Sequence, residues 1–151
     1  MRSKVQFDDI TEVLPHAAPM ILVDEVLSYG DDYVEVLVSH DKPSIFTDDH
    51  GNVPVWVGIE YMAQAISTYA GIMNLRANRP VQIGLLLGTR HYKAFTRQFE
   101  KGRPVTVTVK ELYRDDENLV LFDCEIRAET VLASAQIKAI QPENLGNTER
   151  G

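Results

Sequence analysis

From Val53 to Leu75 the chain runs through 23 residues that are almost entirely apolar, with Glu60, Gln64, Ser67, Thr68 and Asn74 as the chief polar members. A strand usually runs to about 3–10 residues, so the stretch predicts one long helix. Pro54 suits a first helical turn, where its missing N–H is not needed, and Asn78-Arg79-Pro80 marks the end. Such a helix is apolar nearly all round, so it has to be buried on most of its sides. A membrane span is the competing reading, since the length suffices. Glu60 and Gln64, one turn apart, make contact with lipid expensive, and the flanking segments read as ordinary strands.

Those flanks alternate. Met20 to Tyr29 is rich in Ile, Leu and Val, Gly30-Asp31-Asp32 makes a turn, and Tyr33 to Ser39 places Val34, Val36 and Val38 on one face, which together predict a hairpin. Asp8 or Asp9 is placed to cap a short helix through Val13, ended by Pro15. Residues 41 to 52 have loop chemistry. After the helix, Gln82 to Phe95, Val105 to Tyr113, Leu119 to Thr130 and Val131 to Gln141 read as half-buried antiparallel strands. Turn signals separate the first three at Lys101-Gly102-Arg103 and Asp115-Asp116-Glu117-Asn118. Two strands, a buried helix and four strands form an α+β plan, and a helix apolar on most faces needs a curved antiparallel sheet wrapped around it. That is the hotdog fold. The length fits one domain over 1–151, with 142–151 as a flexible polar tail.

The net charge of −7 argues against nucleic acid or an anionic membrane as the main partner. Cys124 is the only cysteine, which excludes an intrachain disulfide and a Cys-based metal site; its place in an alternating segment predicts a buried small hydrophobe. The first residues, MRSKVQFDDI, lack the apolar stretch of a secretory signal, so the cytoplasm is the expected compartment. No metal and no cofactor is expected.

Two motifs in order, LPHAAPMILVDEV (Leu14 to Val26) and GIEYMAQA (Gly58 to Ala65), resemble the LPHRYPFLLVDRV and IIEAMAQA segments of the 3-hydroxyacyl-(acyl-carrier-protein) dehydratases. Gly88 to Leu112 is similar in outline to the same family's strand, basic patch, turn and next strand. The resemblance implies a hotdog dimer that removes water from a 3-hydroxyacyl thioester to give a trans-2-enoyl thioester. It puts Glu60 on the family's helix carboxylate, where a buried setting is expected to raise its pKa, and Gln64 one turn on, placed to orient it. In the family a His from the second subunit completes the acid–base pair, and backbone N–H groups at the helix start polarise the carbonyl.

This chain departs from the pattern twice. Phe46 stands fourteen residues before Glu60, where the family has its His, and the nearest imidazole is His50, ten residues before. Either a shortened loop brings His50 to the catalytic place, or the usual His is missing. Val55 stands where the family has the Gly that lets the thioester approach the backbone. His16, in the LPH motif, is expected to be structural; His40 and His91 have no motif support. Between Arg76 and Arg103, seven cations (Arg76, Arg79, Arg90, Lys93, Arg97, Lys101 and Arg103) face only one acid, Glu100. Arg90, Lys93, Arg97 and Lys101 are therefore the expected contact for an acidic acyl carrier protein, a solvated face being the other reading. The sequence thus supports a dehydratase of fatty acid or polyketide-type biosynthesis, working as a homodimer or with a related hotdog subunit. A non-catalytic partner subunit and an acyl thioesterase stand as alternatives.

Overall fold

The computed structural model describes residues 21–78, 85–117 and 119–140, and of residues 85–87, 89 and 90 the backbone alone. The expected helix through Val13, His16 in the LPH motif, Arg79 and the tail after 141 lie outside the described residues. Strands β1 (Glu25–Tyr29) and β2 (Tyr33–Val38) form the expected hairpin. A two-residue strand β3 (Val53–Pro54) and a 3₁₀ turn (Val55–Val57) lead into helix α1 (Gly58–Arg76). Then come β4 (Leu85–Ala94), a second two-residue strand β5 (Gln98–Phe99), β6 (Val105–Arg114), β7 (Leu119–Arg127) and β8 (Val131–Ile140). The long strands make one antiparallel sheet in the order β1-β2-β6-β7-β8-β4, and β3 pairs with β5 apart from it.

Alternation in sequence becomes rows across the sheet. Val36 lies opposite Val107, Val107 opposite Ile126 and Ile126 opposite Ala133; the next row is Val34, Val109, Cys124 and Ala135. All of these are buried on the concave face, as expected of Cys124. The β-bulges in β1, β4 and β6 bend the sheet around the helix. Helix α1 packs chiefly on β2, β6 and β7, and every residue from Tyr61 to Ile72 is buried. Each large side chain so buried contributes about 1.5–3 kcal/mol. Among the described residues no helix is long and apolar enough to cross a membrane.

The two ends of α1 are fixed by polar contacts. At the C-terminal end the Tyr69 hydroxyl shares its one proton between Glu111 Oε1 (2.9 Å) and the Asp31 carbonyl (3.0 Å), and Arg76 pairs with Asp31 (3.2 Å). Asn78 takes the left-handed conformation that closes the helix (φ 63°). The start differs from the sequence expectation. Pro54 does not open the helix; it belongs to β3, and the helix proper begins four residues later at Gly58. The reason is tertiary: β5 claims residues 53 and 54 as strand partners.

Candidate functional site

Residues 92 to 101 hold the helix entrance as a strap. Val53 and Pro54 pair with Phe99 and Gln98. The Val55 N–H donates to the Arg97 carbonyl (3.1 Å), and the Lys101 N–H donates to Asn52 Oδ1 (3.0 Å). The Tyr92 hydroxyl donates to the Val55 carbonyl, which also accepts the Gly58 N–H. Close approach of backbone therefore falls at Gly58 rather than at position 55: a Cβ on Gly58 would stand 2.4 Å from Tyr92 Oη and 2.9 Å from Ile126 Cδ1. Val55 itself is half-buried.

Glu60 lies in the first turn of α1, half-buried, where the helix dipole favours a negative charge. Gln64 Nε2 donates to Glu60 Oε2 at 3.2 Å. Gln64 Oε1 in turn accepts the N–H groups of Leu22 (2.8 Å) and Val23 (3.4 Å). Those two donors settle the orientation of the amide, since its oxygen has to face them and its NH₂ is left for Glu60. Gln64 is fully buried. The structure thus brings Gln64 and Glu60 together as the motif implies, and adds the backbone of residues 22 and 23 as the anchor.

His50 is elsewhere. It is exposed on a tight turn in which Asp48 Oδ1 accepts the N–H groups of His50 and Asn52, both at 2.9 Å. The Asn52 N–H, chiefly, holds the Asp48 carboxyl below the usual carboxylate range. His50 faces a shallow hollow of about 270 Å³ with Asp41, Asp49 and Lys101. Among the described residues no hydrogen bond joins it to Glu60. At the family's histidine position, the Phe46 ring meets exposed Trp56 edge to face, centroids 5.9 Å apart.

Among the described residues, the histidine that the fold does build in is His40, for which sequence motifs gave no role. It is buried, has φ 61°, and stacks on Phe99. Its Nδ1 lies 2.7 Å from the Arg103 carbonyl and its Nε2 lies 2.9 Å from the Tyr61 hydroxyl. A carbonyl only accepts, so Nδ1 carries the proton and Nε2 accepts from Tyr61. Burial lowers the His40 pKa and holds the ring neutral. Beside it a cleft of about 370 Å³ opens between Asp24, Lys42, Ile45 and Val53. No strand signal marked it, because β2 ends at Val38 and His40 lies beyond it in the left-handed region.

The basic residues divide. Arg76 and Arg103 are paired, with Asp31 and with Glu100 (3.0 Å). Lys93, Arg97 and Lys101 are exposed and make no salt bridge among the described residues; all three lie on the strap that holds the helix entrance. The side chain of Arg90 lies outside the described residues. No group of three or more His, Cys, Asp or Glu suited to a metal ion occurs among the described residues.

The family model of the ApeP-like proteins, described as ApeP dehydratase, matches residues 8–149. The chain belongs to this ApeP-like dehydratase family. Among solved structures, the dehydratase heterocomplex ApeI:P from Xenorhabdus doucetiae superposes with a TM-score of 0.84 at 27% identity, covering 95% of this chain and 97% of that one. The 3-hydroxyacyl-(acyl-carrier-protein) dehydratase FabZ of Streptococcus uberis is 37% identical over 73 residues, 47% of this chain and 51% of the relative, so that match spans about half the relative's length. FabZ of Streptococcus agalactiae is 29% identical over 113 residues, 73% of this chain and 79% of the relative. A hypothetical thioesterase from Streptococcus pneumoniae, solved with coenzyme A, shares the fold at 11% identity (TM-score 0.59). The hotdog architecture and the dehydratase family read from the two motifs both hold.

Proposed function

We propose that this chain is a subunit of a dimeric hotdog dehydratase that converts 3-hydroxyacyl thioesters on an acyl carrier protein to trans-2-enoyl thioesters and water. The observation that carries the reading is Glu60 in the first helical turn, oriented by an amide that Leu22 and Val23 fix in place. One group has to remove the proton beside the thioester carbonyl and another has to protonate the departing hydroxyl. Glu60 is one of the pair, and the other is an imidazole supplied across the dimer. Two sources are open to it: His50 of a second copy, or the histidine of a related hotdog subunit. Phe46 packed on Trp56 at the family's histidine position favours the second, as does similarity to a protein solved as a heterocomplex. Lys93, Arg97 and Lys101, with Arg90 beside them in sequence, form the docking surface for the acidic carrier, and the compartment is the cytoplasm.

The test is turnover of a 3-hydroxyacyl carrier-protein thioester by the purified chain, alone and mixed with a His-bearing dehydratase subunit. We expect turnover in the mixture only, lost by about 10²–10⁴-fold with Glu60→Gln and kept with His50→Ala. Turnover by the chain alone that disappears with His50→Ala would establish the homodimer instead. No enoyl product under either condition, or release of free thiol in its place, would sink the dehydratase reading; thiol release would mark a thioesterase.

A further inference from the structure

We propose that Tyr92 is a positioning residue for the candidate site, acting through the Val55 carbonyl to set the turn from which Glu60 and the first N–H groups of α1 are presented. The inference rests on the dehydratase reading but has a readout that does not need it.

Tyr92 reaches the turn because β4 is bulged. Arg90 lies opposite Gln136 and Lys93 opposite Ser134, so His91 and Tyr92 together face the one residue between, Ala135. His91 absorbs the extra residue in the left-handed region (φ 57°), and the kink re-aims Tyr92. Its hydroxyl meets the Val55 carbonyl and lies against the Cα of Gly58, two residues before Glu60. The same carbonyl accepts the Gly58 N–H, so both of its lone pairs are used, while the Val55 N–H is held by Arg97. The entrance turn is therefore fixed from both sides by one strand segment. Burial raises the Tyr92 pKa to about 12, so the hydroxyl stays a donor throughout the neutral range.

The experiment is Tyr92→Phe, which keeps the ring and removes the donor. Trp56, the single tryptophan of the chain, sits in the entrance turn and is 62% exposed, which makes it a reporter inside the clamp. We expect lower steady-state anisotropy of Trp56 in the variant. In the active assembly we expect kcat to fall about tenfold with KM within twofold, as for an interaction that acts mainly in the transition state. The carbonyl stretch of a bound thioester should move toward the value in water. Tyr113→Phe, on an exposed ring at the far end of β6, should change none of these. Wild-type anisotropy together with wild-type kcat would overturn the proposal, as would a lower melting temperature with kcat intact. If Glu60→Gln left turnover unchanged, the dehydratase reading would fail, and the Trp56 anisotropy of Tyr92→Phe would still decide whether the clamp exists.

Discussion

Replacing Gln64 with leucine separates the anchoring of the helix from its chemistry, because the side chain keeps nearly its volume and loses every polar contact. The Leu22 and Val23 N–H groups donate to Gln64 Oε1 at 2.8 and 3.4 Å, and both residues are buried, at 8% and 1% exposure. An unsatisfied buried donor costs about 1–3 kcal/mol. The Val23 contact is long and counts for less, so the loss should come to about 2–4 kcal/mol. For a domain of this size that is a fall in melting temperature of roughly 5–15 °C. Urea unfolding followed by circular dichroism and by Trp56 emission measures it. A loss below about 1 kcal/mol would refute the view that Gln64 ties the segment before β1 to the helix. Gln64→Glu sharpens the test, since a carboxylate still accepts from Leu22 and Val23 but faces Glu60 with no proton to offer. The two carboxylates would share a proton in the folded state, raising their joint pKa above the unfolded value. That variant should be near wild type at low pH and lose stability as pH rises.

Two further outcomes follow from the buried polar groups. The folded-state pKa of His40 lies below its ordinary value of 6.5, so the unfolded chain binds the extra proton first; stability contributed by the neutral ring is complete above that value and is lost as pH falls below it. His40→Gln should flatten the acid side of a melting-temperature profile, and an unchanged slope would count against the assignment. Gly58→Ala should destabilise by about 1–3 kcal/mol through overpacking. Adding Tyr92→Phe should recover part of that loss, because the hydroxyl 2.4 Å from the new Cβ would be gone; strict additivity in a double-mutant cycle would argue against the contact.

Periodicity carried most of the architecture. The valines of β2 and β6 and the alternation in β7 and β8 name the buried face without help from tertiary structure, and an apolar helix with nowhere to expose itself implies the curl of the sheet. What periodicity could not carry is pairing at a distance. Nothing local to Val53 and Pro54 announces that Gln98 and Phe99 will claim them as strand, so the helix starts four residues late. Tyr92 was hidden for a related reason: a bulge shifts parity within β4, and alternation predicts the wrong side after it. His40 was not legible from alternation, since β2 ends at Val38 and a left-handed φ at His40 breaks the pattern. Glu60 and Gln64 were singled out by their motif. Their anchor on Leu22 and Val23 spans about forty positions of sequence and is a property of the fold alone.

Stability explains little of why an acid stands at Glu60. Its hydrogen bond from Gln64 is a partly exposed contact one helical turn long, of the kind that contributes about 0.2–0.5 kcal/mol. Gln64 is held in place by Leu22 and Val23 whether or not it has a carboxylate to face. The net effect of Glu60→Ala on folding should therefore lie within about 0.5 kcal/mol of zero, while Gln64→Leu is costly. If Glu60→Ala proved as destabilising as Gln64→Leu, the carboxylate would be part of the scaffold and the catalytic reading would lose its main support. A stable variant that no longer turns over thioester would leave chemistry as the reason for an acid at this point of the helix.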